Sequence, residues 1–246
     1  MTDALERPRL AYDHVPGASP TIVFLCGYGS DRQGTKALHL EEWARANGRG
    51  FLRFDYAGCG ESEGDFEDQT LAGWRDDALR MIDTVVEGPA VLVGSSMGGW
   101  VMLLAARARP ERVKGLVGIA AAPDFTDWGY GAEEKLALQR DGRIEQPNDY
   151  GDQPTVTTRA FWESGEANRM MGGPIDFDGP VRLLQGMVDA EVPWARAPAL
   201  AGLFRSADVQ TILIKDGDHR LSREGDLKLI VRAIEDVLDA CSFPSF

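Results

Sequence analysis

Ser96 stands between two glycines, each two residues away, in Gly94-Ser95-Ser96-Met97-Gly98. Ala90-Val91-Leu92-Val93 before it reads as a short buried strand, and Gly99 to Ala106 after it reads as a helix. A G-x-S-x-G spacing between strand and helix makes a turn so sharp that a Cβ at either glycine would strike its neighbours. The turn leaves the serine exposed at the carboxyl end of a sheet, above the positive end of a helix. The chemistry this offers is nucleophilic attack by a hydroxyl. A tight turn that happens to hold a serine is the plainer alternative; the flanking elements favour the nucleophile.

A serine hydroxyl attacks poorly until a base takes its proton. The chain has three histidines. His14 precedes the first strong strand, and His39 sits in a helix among Ala37, Leu38 and Leu40. His219 follows the last apolar strand, in the polar loop Lys215-Asp216-Gly217-Asp218-His219-Arg220 before the final helix. The chain order serine, acid, histidine points to His219 as the base. An acid must then hold the imidazole in the useful tautomer. Asp189 ends Leu183-Leu184-Gln185-Gly186-Met187-Val188-Asp189 and is favoured; Asp124, after the preceding strand, competes. Asp218 reads as a loop residue. The oxyanion formed on attack needs backbone N–H groups. Met97, next after the serine, and Tyr28, between Gly27 and Gly29, are the expected donors.

Something must hold these groups together. Short apolar runs at 21–26, 51–54, 90–93, 115–120, 181–184 and 209–214 read as strands. Between them, helical spacing covers about 35–47 and 71–86, and a last helix carries Ile230, Ala233, Ile234, Val237 and Leu238 on one face. Strands alternating with helices predict an α/β fold, a mostly parallel central sheet flanked by helices. At 246 residues the chain is expected to form one domain, 1–246. Residues 123–180 break the alternation, with no clear strand and scattered aromatics. They are expected to form a small cap insertion over the serine, because ligands of such sheets bind where this segment emerges. Its Trp128, Trp162 and Met171 are expected to line the substrate site.

The net charge of −13 argues against a nucleic-acid partner. No apolar run approaches a membrane span, and the amino terminus lacks the pattern of a signal peptide. Three cysteines indicate no disulfide framework; Cys26 and Cys59 read as small buried residues. No cluster has metal-ligand spacing and no glycine-rich segment matches a phosphate-binding fingerprint, so no cofactor is expected. A small-molecule or acylated substrate is expected, in a cytoplasmic protein of undetermined oligomeric state.

The runs Gly34-Thr35-Lys36-Ala37, Arg53-Phe54-Asp55-Tyr56 and Gly94-Ser95-Ser96-Met97-Gly98-Gly99-Trp100 carry a resemblance. So do Arg109-Pro110-Glu111, Gly186-Met187-Val188-Asp189 with Val192-Pro193-Trp194, and Asp218-His219-Arg220. The chain, from about Leu10 onward, resembles the palmitoyl-protein thioesterase and acyl-glucuronide esterase branch of the α/β-hydrolase superfamily. The resemblance places that branch's triad on Ser96, Asp189 and His219. It implies hydrolysis of acyl thioesters and carboxylic esters without a cofactor. No basic, serine-rich presequence precedes it, so a bacterial-type cytoplasmic relative is expected. A short-peptide serine peptidase and a non-catalytic ligand-binding protein on the same scaffold remain alternatives.

Overall fold

Strands buried on both faces need near-continuous apolar runs, and the runs of this chain form such strands. The computed structural model describes residues 7–147 and 154–242. The first part contains β1 (Tyr12–Val15), β2 (Ala18–Leu25), α1 (Thr35–Ala46), β3 (Arg49–Phe54) and α2 (Leu71–Thr84). Next come β4 (Ala90–Ser95), α3 (Met97–Ala108) and β5 (Val113–Ile119). Then follow α4 (Phe125–Trp128), α5 (Ala132–Asp141), β6 (Arg143–Gln146), β7 (Thr155–Thr158) and α6 (Arg159–Ala167). The chain closes with β8 (Val181–Gly186), α7 (Arg196–Ala201), β9 (Val209–Ile214) and α8 (Glu224–Ser242).

Seven strands form one sheet in the order β1-β3-β2-β4-β5-β8-β9. All neighbours are parallel except β1, which runs antiparallel along β3. Every residue of β4 is buried, whereas β9 at the sheet edge is half exposed. Helix α3 packs on β2, β4 and β5 and against α2, while α8 packs on β5 and β8 and against α1. The apolar faces explain both contacts. Leu71, Trp74, Ala78, Met81 and Ile82 of α2 are buried, as are Ile230, Ala233, Ile234, Val237 and Leu238 of α8. This is an α/β-hydrolase fold.

Topology decides where the site lies. From β2 the chain runs outward to β3 on one side, then returns to β4 on the other. The connections leaving β2 and β4 therefore diverge and open a crevice at the carboxyl ends of these strands, the usual ligand position in such sheets. Ser96 follows β4, and the loop holding Tyr28 follows β2.

The reading of 123–180 as strandless needs correction. β6 and β7 pair antiparallel there, outside the main sheet. Each has four residues, Arg-Ile-Glu-Gln and Thr-Val-Thr-Thr, so no apolar run announces them. β1 and α7 were equally silent, being a partly exposed edge strand and a six-residue helix.

Candidate active site

Ser96 caps α3 with φ 54° and ψ −122°, a conformation that L residues rarely adopt. Its backbone is held there from three directions. The Ser96 N–H donates to the Ile119 carbonyl at 2.9 Å, and its carbonyl accepts from Gly99 N at 2.9 Å and Ala122 N at 3.0 Å. A Cβ on Gly98 would sit 2.1 Å from the Leu25 carbonyl oxygen, and one on Gly94 would sit 2.4 Å from that of Gly98. Only glycine permits this close approach.

His219 reaches the serine from the loop after β9. Its Nε2 lies 3.1 Å from Ser96 Oγ, and its Nδ1 lies 2.9 Å from Asp189 Oδ2. Asp189 follows β8 with its side chain wholly enclosed. Its Oδ1 accepts from Glu191 N and Val192 N, each at 2.8 Å, and its Oδ2 also accepts from Gln185 Nε2 at 2.8 Å. Burial presses this carboxyl toward its neutral form, but His219 and the two backbone N–H groups hold it below the usual carboxylate range. Glu191 brings its Oε2 to 3.4 Å from His219 Nε2, the nitrogen that faces the serine. The sequence did not single out Gln185 or Glu191, since neither belongs to the G-x-S-x-G spacing or to the serine, acid, histidine order.

The competing acid lies elsewhere. Asp124 is buried, with Met170 N donating to one carboxylate oxygen at 2.7 Å and Met171 N to the other at 2.8 Å. Burial pushes its carboxyl up, against those two bonds. Asp218 accepts from Leu221 N at 3.0 Å, within its own loop.

Met97 opens α3, so its N–H has no acceptor within the helix and carries the positive end of the helix dipole. The Tyr28 N–H lies in the facing loop, where a Cβ on Gly27 would come 3.4 Å from Ser96 Cβ. The Tyr28 ring packs edge-on against Phe66, Trp74, Phe125 and Phe161.

A cleft of about 860 Å³ opens over these groups, with Ser96, His219, Tyr28, Phe66, Lys36 and Val156 among its walls. Trp128, Trp162 and Met171, expected to line the substrate site, are not among the residues that line this cleft. Trp128 donates its indole N–H to the Pro123 carbonyl at 2.9 Å and lies under the Arg196 guanidinium. Trp162 donates to the Thr126 carbonyl at 3.2 Å, and Met171 packs on the core beside Asp124. These three hold their segment together and to the body of the protein. Cys26 and Cys59 border the cleft but are buried, and burial beside Asp55 and Asp77 pushes the Cys59 thiol up to about 12. Lys36 donates to the Arg220 carbonyl at 2.6 Å, and burial, then Arg220, pull its ammonium down to about 8. Among the described residues no helix is long and apolar enough to cross a membrane.

Fold and site together define a hydrolase scaffold, and residues 22–240 match the model of the alpha/beta hydrolase family. The chain belongs to that family. It is 41% identical to human palmitoyl-protein thioesterase ABHD10, mitochondrial, over 239 residues, which cover 96% of this chain and 78% of the human one. The structure of alpha/beta hydrolase domain-containing protein 10 from mouse superposes with a TM-score of 0.88 at 40% identity, covering 94% of both chains. A putative hydrolase from Agrobacterium vitis S4 gives a TM-score of 0.89 at 40% identity, covering 94% of this chain and 93% of that one. The human and mouse thioesterases both carry the designation mitochondrial, which overturns the expectation of a cytoplasmic protein.

Proposed function

We propose that this hydrolase cleaves acyl thioesters or carboxylic esters through an acyl-enzyme on Ser96. The observation that carries this reading is the continuous path Ser96 Oγ, His219 Nε2, His219 Nδ1, Asp189 Oδ2, with steps of 3.1 and 2.9 Å. Ser96 Oγ attacks the acyl carbon while His219 takes its proton. Asp189, held ionised by its donors, orients the imidazole and stabilises the imidazolium. The Met97 and Tyr28 N–H groups meet the oxyanion. The tetrahedral intermediate collapses as His219 protonates the leaving thiol or alcohol. Water, activated by the same histidine, then releases the acid and restores Ser96.

The thioester class is favoured by the relatives, since the human protein is named a palmitoyl-protein thioesterase. The whole chain acts as one domain, with 123–180 as a cap. Val156 and Thr155 of β7, with Gln146 of β6, supply cleft walls from that segment, which supports the reading. The acylated substrate enters between this ribbon and the loop after β2.

A fluorophosphonate probe tests the nucleophile. It should label Ser96, and Ser96→Ala should lose the label and nearly all turnover while staying folded. Labelling at Ser95 instead would sink the assignment. A matched panel of acyl thioesters, esters and short peptide amides tests the class. Peptides turned over faster than both ester types would overturn it in favour of a peptidase, and no turnover of any would favour a ligand-binding role.

A further inference from the structure

Gln185 ends the apolar run of β8 and is fully buried directly beneath Asp189. Its Nε2 lies 2.8 Å from Asp189 Oδ2, 3.2 Å from the Val192 carbonyl oxygen and 3.3 Å from that of Gly186. All three neighbours are pure acceptors. That fixes the direction of the amide, because the flipped form would set its oxygen against a carboxylate and two carbonyls. In the only workable orientation, Gln185 Oε1 is buried with no donor among the described residues. A buried acceptor without a donor destabilises a fold, so part of what the amide gains from its three acceptors is given back at its own oxygen.

What the amide does accomplish follows from the oxygen it touches. Asp189 Oδ1 is taken by two backbone N–H groups, which hold the carboxylate in place. Oδ2 alone faces His219, and Gln185 shares that oxygen. A donor on a carboxylate oxygen draws off negative charge and weakens the pull of that oxygen on a second donor.

We propose that Gln185 is a positioning residue that restrains Asp189, so that His219 gives up its extra proton more readily and serves as a base at lower pH. This rests on the reading of Ser96, His219 and Asp189 as a triad. Other charged groups lie around His219. Glu191 approaches its Nε2, Lys36 of α1 and Arg220 share the cleft, Asp31 borders it from the loop after β2, and Asp218 precedes it in the chain. All of them stay in place in a Gln185 variant, so they form a constant background.

Gln185→Met keeps the length of the side chain and removes the donor. His219 works as a base only when neutral. With Oδ2 free to bind it more strongly, the protonated form should persist to higher pH. The acid limb of the kcat/KM profile, measured with an uncharged ester, should therefore move up by about one pH unit. The plateau should fall by no more than about tenfold, because Oδ1 remains anchored, and Tm should move by no more than a few degrees, since the lost bonds and the removed orphan oxygen offset each other. A folded variant whose acid limb stays put, or moves down, overturns the proposal. Should Gln185→Met not fold, Gln185→Leu and the wild-type side-chain amide decide. By ¹H–¹⁵N NMR, the Gln185 amide protons should shift with the midpoint of the acid limb, and their indifference to it overturns the proposal equally. His219→Gln separates the two readings. Wild-type turnover there would remove the triad itself; loss of turnover there, with an unmoved limb in Gln185→Met, removes only the role of Gln185.

Discussion

Tyr28 donates its phenolic hydrogen to the Val156 carbonyl at 2.7 Å, joining residues 128 positions apart. The bond ties the loop after β2, which carries the proposed oxyanion donor, to strand β7 on the far wall of the cleft. The two walls are thus set relative to each other by one half-buried hydroxyl and the aromatic rings around it.

Tyr28→Phe leaves those rings in place and deletes the bond. Losing one such hydrogen bond costs about 1 kcal/mol, or roughly 2–4 °C in Tm for a chain of this size. Hydrogen exchange in β6 and β7 should quicken, and kcat/KM should fall by up to about tenfold as the loop loosens. Calorimetry, exchange mass spectrometry and steady-state kinetics check this. Unchanged exchange in both strands would show that the hydroxyl does not tie the walls together.

Ser96→Gly should separate stability from activity. The φ of 54° strains serine but not glycine, a cost of about 1–3 kcal/mol. Glycine gives back about 0.4–1 kcal/mol through its freer unfolded chain. The variant should melt a few degrees higher and turn over nothing. A lower Tm would mean that the turn is not strained.

Asp189→Asn and Asp124→Asn should fail in different ways. The first presents His219 with an amide and the wrong tautomer, a defect of about 10⁴-fold in acyl transfer. The second leaves chemistry nearly intact but sets an amide against the Met170 and Met171 N–H groups, at about 1–3 kcal/mol of stability. Rates and denaturation midpoints on both variants test the ranking, and the reverse order would move the acid to β5.

Acyl selectivity should follow the cleft walls. Each methylene that enters an apolar site contributes about 0.8 kcal/mol, so kcat/KM should climb with chain length to an optimum at medium length. Phe66→Ala and Val156→Trp, on the cleft walls, should move that optimum. Trp128→Ala and Trp162→Ala should lower Tm and leave it in place. A thioester series from two to about sixteen carbons reads the difference; a shift caused only by the two tryptophans would return the acyl site to them.

Lys36 should be the most reactive lysine near neutral pH. With its ammonium drawn down to about 8, about a tenth of it is the neutral, nucleophilic amine at pH 7 and about half at pH 8, whereas an ordinary lysine is almost fully protonated at both. Trinitrobenzenesulfonate labelling, read by peptide mass spectrometry, should show a midpoint near pH 8 at Lys36. A midpoint in the ordinary lysine range would mean that water reaches this amine freely.

The six apolar strands β2, β3, β4, β5, β8 and β9 and the turn around Ser96 were readable from the chain because each depends on near neighbours. The run 90–93 had to be buried, and a serine flanked by Gly94 and Gly98 had few backbone shapes open to it. β8 and β9 then placed Asp189 and His219 at strand ends, at the same edge as Ser96. The cleft walls that β6 and β7 supply were not readable. Trp128 lies in a four-residue helix, and β6 and β7 are four-residue polar strands, so none has a periodicity that reveals its inward face. Nor does a glutamine ending an apolar strand announce that its amide will meet Asp189. Local backbone sterics determine a turn from within a few residues. The facing of a side chain in a short or irregular segment is determined by what packs against it from distant parts of the chain, and only the tertiary structure brings those parts together.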